Sequence, residues 1–389
     1  VKRKDSVLFI FYRFFANSAL FVPIIVVFLK YKTHSSARAL SIIGVYSLVI
    51  MLAELPTGVI ADTFGTKRTT LLGVASAILG SLVLGYGNTY SVLLLGEILI
   101  AISVSLRSGA DSAFLFGISP DIGAYKKYES FSNSARYIAL CTSSLAGSFL
   151  FGINKELPFV TSSIMFAAGF LFASFIPEKN LGKSIAGKGV ADRKMHLNEF
   201  KKLFRIKGLI PIIILSALTG VFFSTVYWLV QPYLQSVGFP EKFFGLVYAL
   251  SFVSSAFGSF VSGKIRFKER NNYLQIVWLG VAGMLIPVFL YLFRSPTGIL
   301  FLLLNQFLIG FSYPVIFSAI QKKIGASKLR ATALSLESLI QRLFLTIMIF
   351  FISTAISCNG IGKSLLLADF VLSVLFIVSL YASYTSSRS

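Results

Sequence analysis

Apolar positions in this chain follow neither a helical stripe nor a strand-like alternation. They come in unbroken runs of about twenty residues, separated by short polar turns. At 1.5 Å of rise per residue, a helix of that length matches the roughly 30 Å hydrocarbon core of a bilayer. Twelve spanning helices are predicted, over 7–29, 39–61, 69–87, 91–115, 130–152, 158–176, 209–233, 243–263, 273–293, 297–320, 332–357 and 364–383. One polar stretch is long, 178–207, Gly- and Lys-rich, without helical periodicity until about Arg193. It separates six spans from six, so the predicted organisation is a bundle over 1–177, a linker over 178–207 and a second bundle over 208–389. Residues 195–207 (MHLNEFKKLFRIK) read equally as a solvated linker or as a basic amphipathic helix on the inner leaflet.

Composition agrees. The 389 residues are 56% hydrophobic and 13% charged, with a mean hydropathy of +0.80, too apolar for a soluble protein. A net charge of +21 would suit nucleic acid, but the cations sit in short loops, and mainly in alternate ones. Lys2-Arg3-Lys4, Lys67-Arg68, Lys126-Lys127, Lys264 to Arg270, Lys322-Lys323 and Lys328 with Arg330 fall on one side, with nine basic residues in 178–207. The other side has no charge from Tyr86 to Tyr90 and mostly single cations at Lys155, Lys242, Arg294 and Lys363, with Lys30, Lys32 and Arg38 of its first loop as the exception. That asymmetry puts the cationic side and both termini in the cytoplasm of a multi-pass inner-membrane protein, and excludes nucleic acid as a partner. The run after Lys4 is too long for a signal-peptide core and has no small-residue cleavage site, so it is expected to remain as a span. Cys141 and Cys358 lie at different depths, which disfavours a disulfide.

The stretch Glu54 to Arg68, ELPTGVIADTFGTKR, carries Gly58 and Asp62 one turn apart, a Gly65 turn and the pair Lys67 and Arg68. This spacing resembles the loop 2–3 signature of the major facilitator superfamily, departing from it at Thr63 and Thr66, where a basic residue is common. Glu54-Leu55-Pro56-Thr57, Gln231-Pro232-Tyr233 after Trp228, Arg107-Ser-Gly-Ala-Asp111 and Arg330-Ala-Thr-x-Leu-Ser335 are similar to segments of an exporter-rich branch. The halves echo one another too, with Gly258-x-x-x-Ser262 in the place of Gly58-x-x-x-Asp62. The resemblance implies an all-α membrane fold of two pseudo-symmetric six-helix bundles that rock about a central site. It also implies a gate at Gly58, Asp62, Gly65, Lys67, Arg68, Arg107 and Asp111, where Asp62 would meet the N-terminal end of span 11 near Ala331 and Thr332.

Charges inside spans are costly and so mark candidate chemistry: Arg13, Glu54, Glu97, Arg107, Asp111, Arg136, Glu337, Arg342 and Asp369. Arg13, Glu54, Arg107, Arg136, Glu337 and Arg342 are predicted to share a layer roughly 10–20 Å from the cytoplasmic face. Arg107 can pair with Asp111 one turn on, and the others can be fixed packing bridges. Alternatively the layer lines a cavity, where a desolvated carboxylate near an arginine can trade a proton for bound substrate. Glu54 and Glu337 are the first candidates for that proton, Glu97 the third. Arg13, Arg136 and Arg342, with Gln341, Trp228 and Gln231, are the candidate substrate contacts. Setting Arg107 against Asp111 leaves a cationic excess that favours an anionic ligand, while Phe11, Phe14, Phe222 and Tyr227 suit an amphipathic one. Gln231-Pro232 is expected to break the last turn of span 7 as an outer gate.

There is no phosphate-binding loop, and His34 and His196 stand alone, so neither a nucleotide, a cofactor nor a metal is expected. The predicted activity is monomeric, proton-coupled export of a small amphipathic or anionic compound such as a drug, secreted metabolite or chelator, not an enzymatic reaction. Import of a nutrient anion, or a non-transporting receptor or lipid-handling role, are the alternatives.

Overall fold

The computed structural model describes residues 3–177, 203, 204, 206, 208–265, 272–324 and 329–388. Among these the regular structure is helical, and ten stretches are long and apolar enough to cross a membrane. The chain divides into two compact units: the described residues of 1–189 with 240–249, and those of 190–239 with 250–389.

In the first unit the helices are α1 (Arg3–Phe15), α2 (Ile25–Thr33), α3 (Ser36–Phe64), α4 (Thr66–Tyr86), α5 (Tyr90–Ile118), α6 (Ile122–Ile153) and α7 (Leu157–Ser174). Polar residues in the turns start them. Ser35 accepts from the Arg38 N–H, Thr89 from Val92 and Asp121 from Ala124, each satisfying a backbone donor that the first helical turn leaves open. Gly65 alone joins α3 to α4, at φ 90°, a conformation that side chains resist. Lys67, just inside α4, donates to the carbonyls of Ser174 (2.9 Å) and Ile176 (2.6 Å), closing the end of α7.

The predicted span 7–29 is not one helix. The 13 residues of α1 and the 9 of α2 are each too short to cross alone. The break follows from Asn17, Ser18 and Pro23: the side chains of Asn17 and Ser18 bond back to the carbonyls of Arg13 (2.7 Å) and Phe14 (2.9 Å), and Pro23 has no N–H to give. The main chain released there is taken up by other helices. Ser162 Oγ of α7 accepts from Leu20 N at 2.8 Å, and Arg107 Nη1 of α5 donates to Ala16 O at 2.7 Å. Gly147 of α6 permits the contact, since a Cβ there would collide with the Leu20 carbonyl.

The second unit holds α8 (Leu209–Ser236), α9 (Phe244–Lys264), α10 (Asn272–Leu292), α11 (Ile299–Ile324) and α12 (Arg330–Arg388); the first residues of α9 group with the first unit. Spans predicted over 332–357 and 364–383 share the single element α12, interrupted only by non-helical backbone at Gly360 (φ 69°, ψ 171°). Span 7 is also corrected. α8 runs through Pro232 to Ser236, because the C-terminal carbonyls are closed beyond it: Phe239 N bonds Leu234 O and Gly238 N bonds Gln235 O. Of the segment 195–207, Leu203 is buried against Leu209, Ile213, Ile320 and Ile324 and packs with the unit's core.

Candidate functional site

Two polar constellations lie inside the units. In the first unit, Asp111 of α5 collects partners from its own helix and from two others, α1 and α4. Tyr12 Oη of α1 donates to Oδ1 at 2.6 Å, and Thr70 Oγ1 of α4 donates to the same atom at 3.2 Å. Arg107 Nε lies 3.6 Å from Oδ2, one turn along α5, and Arg13 Nη1 of α1 lies 3.7 Å from it. Arg107 Nε also donates to Tyr12 Oη at 3.2 Å. Arg13 extends the network to α6, where its Nη2 is 3.4 Å from Glu129 Oε1. That oxygen accepts as well from Ser112 (3.2 Å) and Asn133 (3.3 Å). Aromatic faces support both guanidiniums, Phe9 against Arg13 and Tyr12 against Arg107.

This arrangement brings in an acid that was not predicted. Glu129 was not counted among the interior charges because span 5 is predicted to begin at 130, whereas α6 starts at Ile122. Glu129 adds an acid that the predicted layer lacked. Arg13 in particular is held by two carboxylates of its own unit.

The second constellation is a cavity of about 300 Å³ between α8, α11 and α12. Gln341 Nε2 donates to Ser224 Oγ at 3.3 Å across it, and Gly220 gives the amide its room. Glu337, one turn before Gln341 on α12, lines the same space, as do Tyr313 and Phe317, whose rings stack at 6.1 Å and 23°. Among the described residues, no cation lies within ion-pair distance of the Glu337 carboxyl, and no Lys, Arg or His lines the cavity.

The other predicted residues are dispersed. Glu97 is buried in α5, and Glu54 is partly buried in α3. Arg136 lies 5.0 Å from the ring of its neighbour Tyr137, and Arg342 is not among the residues lining the cavity. Trp228 meets Tyr227 edge-on, and Gln231 is buried in α8. Arg68 is exposed at the start of α4, beside Lys67 on its α7 carbonyls. The backbone is helical through Gly58 and Asp62, while the packing of both, and of Ala331, lies outside the described residues. Tyr12, Thr70 and Glu129 in one constellation, and Ser224, Tyr313 and Phe317 in the other, were not among the predicted site residues. The spacing of Glu129 and Asn133, one turn apart in a helix capped by Asp121, was the available signal.

Comparison with known proteins supplies the lineage. Over 307 residues the chain is 26% identical to an uncharacterised MFS-type transporter, YxaM of Bacillus subtilis (strain 168), covering 75% of this chain and 74% of that protein. A 78-residue stretch is 41% identical to the facilitated glucose transporter member 12 of solute carrier family 2 from Homo sapiens, covering 20% of this chain and 13% of that one. The fold matches a crystal structure of a POT family transporter in complex with 5-aminolevulinic acid, at TM-score 0.74 and 14% identity, covering 98% and 96% of the two chains. It also matches a D-xylose-proton symporter, at TM-score 0.67 and 14% identity, covering 98% and 95%. Residues 7–347 match the model of the Major Facilitator Superfamily, and with most of its length inside that match, this multi-pass membrane chain belongs to the Major Facilitator Superfamily of transporters.

Proposed function

We propose that the chain is a proton-coupled secondary transporter that exports a small amphipathic compound by alternating access. The proposed topology has twelve crossings: α1 with α2 makes the first, and α12 makes two on either side of Gly360. Residues 1–177 and 208–389 form the two bundles, 178–207 the cytoplasmic linker, and both termini lie in the cytoplasm of a monomer in the inner membrane. Glu337 carries the reading, as a carboxyl lining a cavity with no cation among its described lining residues. A proton on that group can be exchanged against a bound solute, with Glu54 and Glu97 as the alternatives. Gln341 is the favoured substrate contact. The cavity beside Glu337 has no cation among its described lining residues to receive an anionic solute, and the stacked Tyr313 and Phe317 support an amphipathic one. The hairpin of Gly58, Asp62, Gly65, Lys67 and Arg68 is the proposed inner gate, with Arg107 and Asp111 bracing the helices behind it.

Everted vesicles with an acidic interior, reported by quenching of an acridine dye, provide the test. Amphipathic amines, neutral compounds and carboxylates are added in turn. Export predicts that one class relieves the quench and that Glu337→Gln abolishes the relief; an undiminished response in that variant refutes the proton assignment. A second reading, proton-driven import of a nutrient, is favoured by the symporter among the similar folds. It predicts solute uptake together with protons in right-side-out vesicles. A receptor on this scaffold would give no solute response in either orientation.

A further inference from the structure

We propose that the cavity beside Glu337 selects small organic ammonium ions, amines or quaternary cations carrying an aromatic or alkyl group. The inference rests on reading that cavity as the transport site and names its substrate class. Three observations carry it. First, Glu337 supplies the only formal charge among the described lining residues, and it is negative. An anion entering this space would lose water without gaining a cation, while an ammonium gains a charge-assisted contact. Second, Tyr313 and Phe317 stack to present a continuous aromatic surface, the type of wall that attracts a cation through its π faces and an apolar group by burial. Third, the Gln341 amide is anchored to Ser224 through one N–H of its Nε2, which leaves Oε1 as an acceptor for an ammonium N–H. At about 300 Å³ the space is at the small end of ligand pockets, which limits the solute to a compact molecule.

The same geometry joins binding to coupling. The Glu337 carboxylate can hold a proton or face an ammonium, but not both at once. Loading one therefore expels the other, and proton entry becomes linked to amine exit without a second titrating site.

Equilibrium binding to the purified full chain in detergent, measured by calorimetry with no proton gradient, tests the inference. The probes are benzyltrimethylammonium, its uncharged isostere 2,2-dimethyl-1-phenylpropane, and benzenesulfonate. The cation should bind saturably and both others at least about tenfold more weakly, a difference of one charge-assisted contact. Glu337→Gln should weaken the cation by about tenfold or more, and Tyr313→Leu by about threefold, while Tyr313→Phe retains binding. Thermal unfolding of each variant shows whether it is folded. Should Glu337→Gln prove unfolded, Tyr313→Leu against Tyr313→Phe decides. Absence of saturable cation binding, tighter binding of the sulfonate, or an unchanged affinity in folded Glu337→Gln overturns the inference. Cation binding with no response in vesicles refutes the transport reading alone. A vesicle response to carboxylates or neutral compounds without cation binding refutes the substrate class alone.

Discussion

Replacing Arg107 by methionine keeps the apolar stem of the side chain and removes three contacts at once. The charge-assisted bond to Ala16 O at 2.7 Å is worth about 1.5–3 kcal/mol. The bond to Tyr12 Oη at 3.2 Å adds about 1 kcal/mol. The ion pair with Asp111 at 3.6 Å is the largest item in isolation, because orphaning a buried charge costs about 3–5 kcal/mol. Asp111 is not orphaned, however, since Arg13, Tyr12 and Thr70 still reach its two oxygens. The expected destabilisation of Arg107→Met is therefore about 3 kcal/mol, governed by the Ala16 carbonyl more than by the carboxylate. A double-mutant cycle separates the two. Unfolding free energies of Arg107→Met, Asp111→Asn and the double variant, measured in mixed micelles, should show a coupling of about 1 kcal/mol, well below the single losses. Arg107→Lys should recover little, because a single ammonium cannot span Ala16 O and Asp111 as the guanidinium does. A cost below about 1 kcal/mol for Arg107→Met, or a coupling that accounts for nearly all of it, would refute the assignment of Arg107 to the break in span 1.

Three further outcomes follow from the packing. Gly147→Ala places a methyl on the Leu20 carbonyl and should destabilise by about 1–3 kcal/mol, whereas Gly152→Ala, with open space around it, should be neutral or slightly stabilising; equal shifts in unfolding temperature would contradict the close contact. Lys67→Met releases the Ser174 and Ile176 carbonyls at the end of α7 and should cost about 1–2 kcal/mol by the same measurement. Gly220→Ala would bring a Cβ within 2.6 Å of Gln341 Nε2, the tip of a flexible side chain. Stability should barely change, while affinity for a bound solute falls severalfold by calorimetry, and unaltered binding would argue that Gln341 does not face the ligand.

The crossings were readable because bilayer thickness imposes a run length that few soluble segments reach. The same uniformity concealed the break in span 1. Asn17, Ser18 and Pro23 are its cause, but a window of twenty residues averages them into the apolar background, and only the donors on α5 and α7 make the break tolerable. The Arg107 and Asp111 pair was readable from its one-turn spacing. Arg13 was not, because its partners stand about a hundred residues away, at Asp111 and Glu129, and pairing across helices depends on packing that no local pattern encodes. Pro232 shows the opposite error. Its local preference for ending a helix is overridden by the closure that Gly238 and Phe239 provide beyond it.

The break in span 1 also carries a cost in time. Ala16 O waits for a donor 91 positions further along the chain, and Leu20 N for an acceptor 142 positions further on. At ribosomal speeds of about 5–20 residues per second, the second partner emerges roughly 7–30 s after the first segment is made. Throughout that interval the nascent segment has main-chain groups that lipid cannot satisfy, so it must be sheltered at the insertion machinery or held near the headgroups. Integration of α1 and α2 is thus a late event, completed only when α7 has been synthesised.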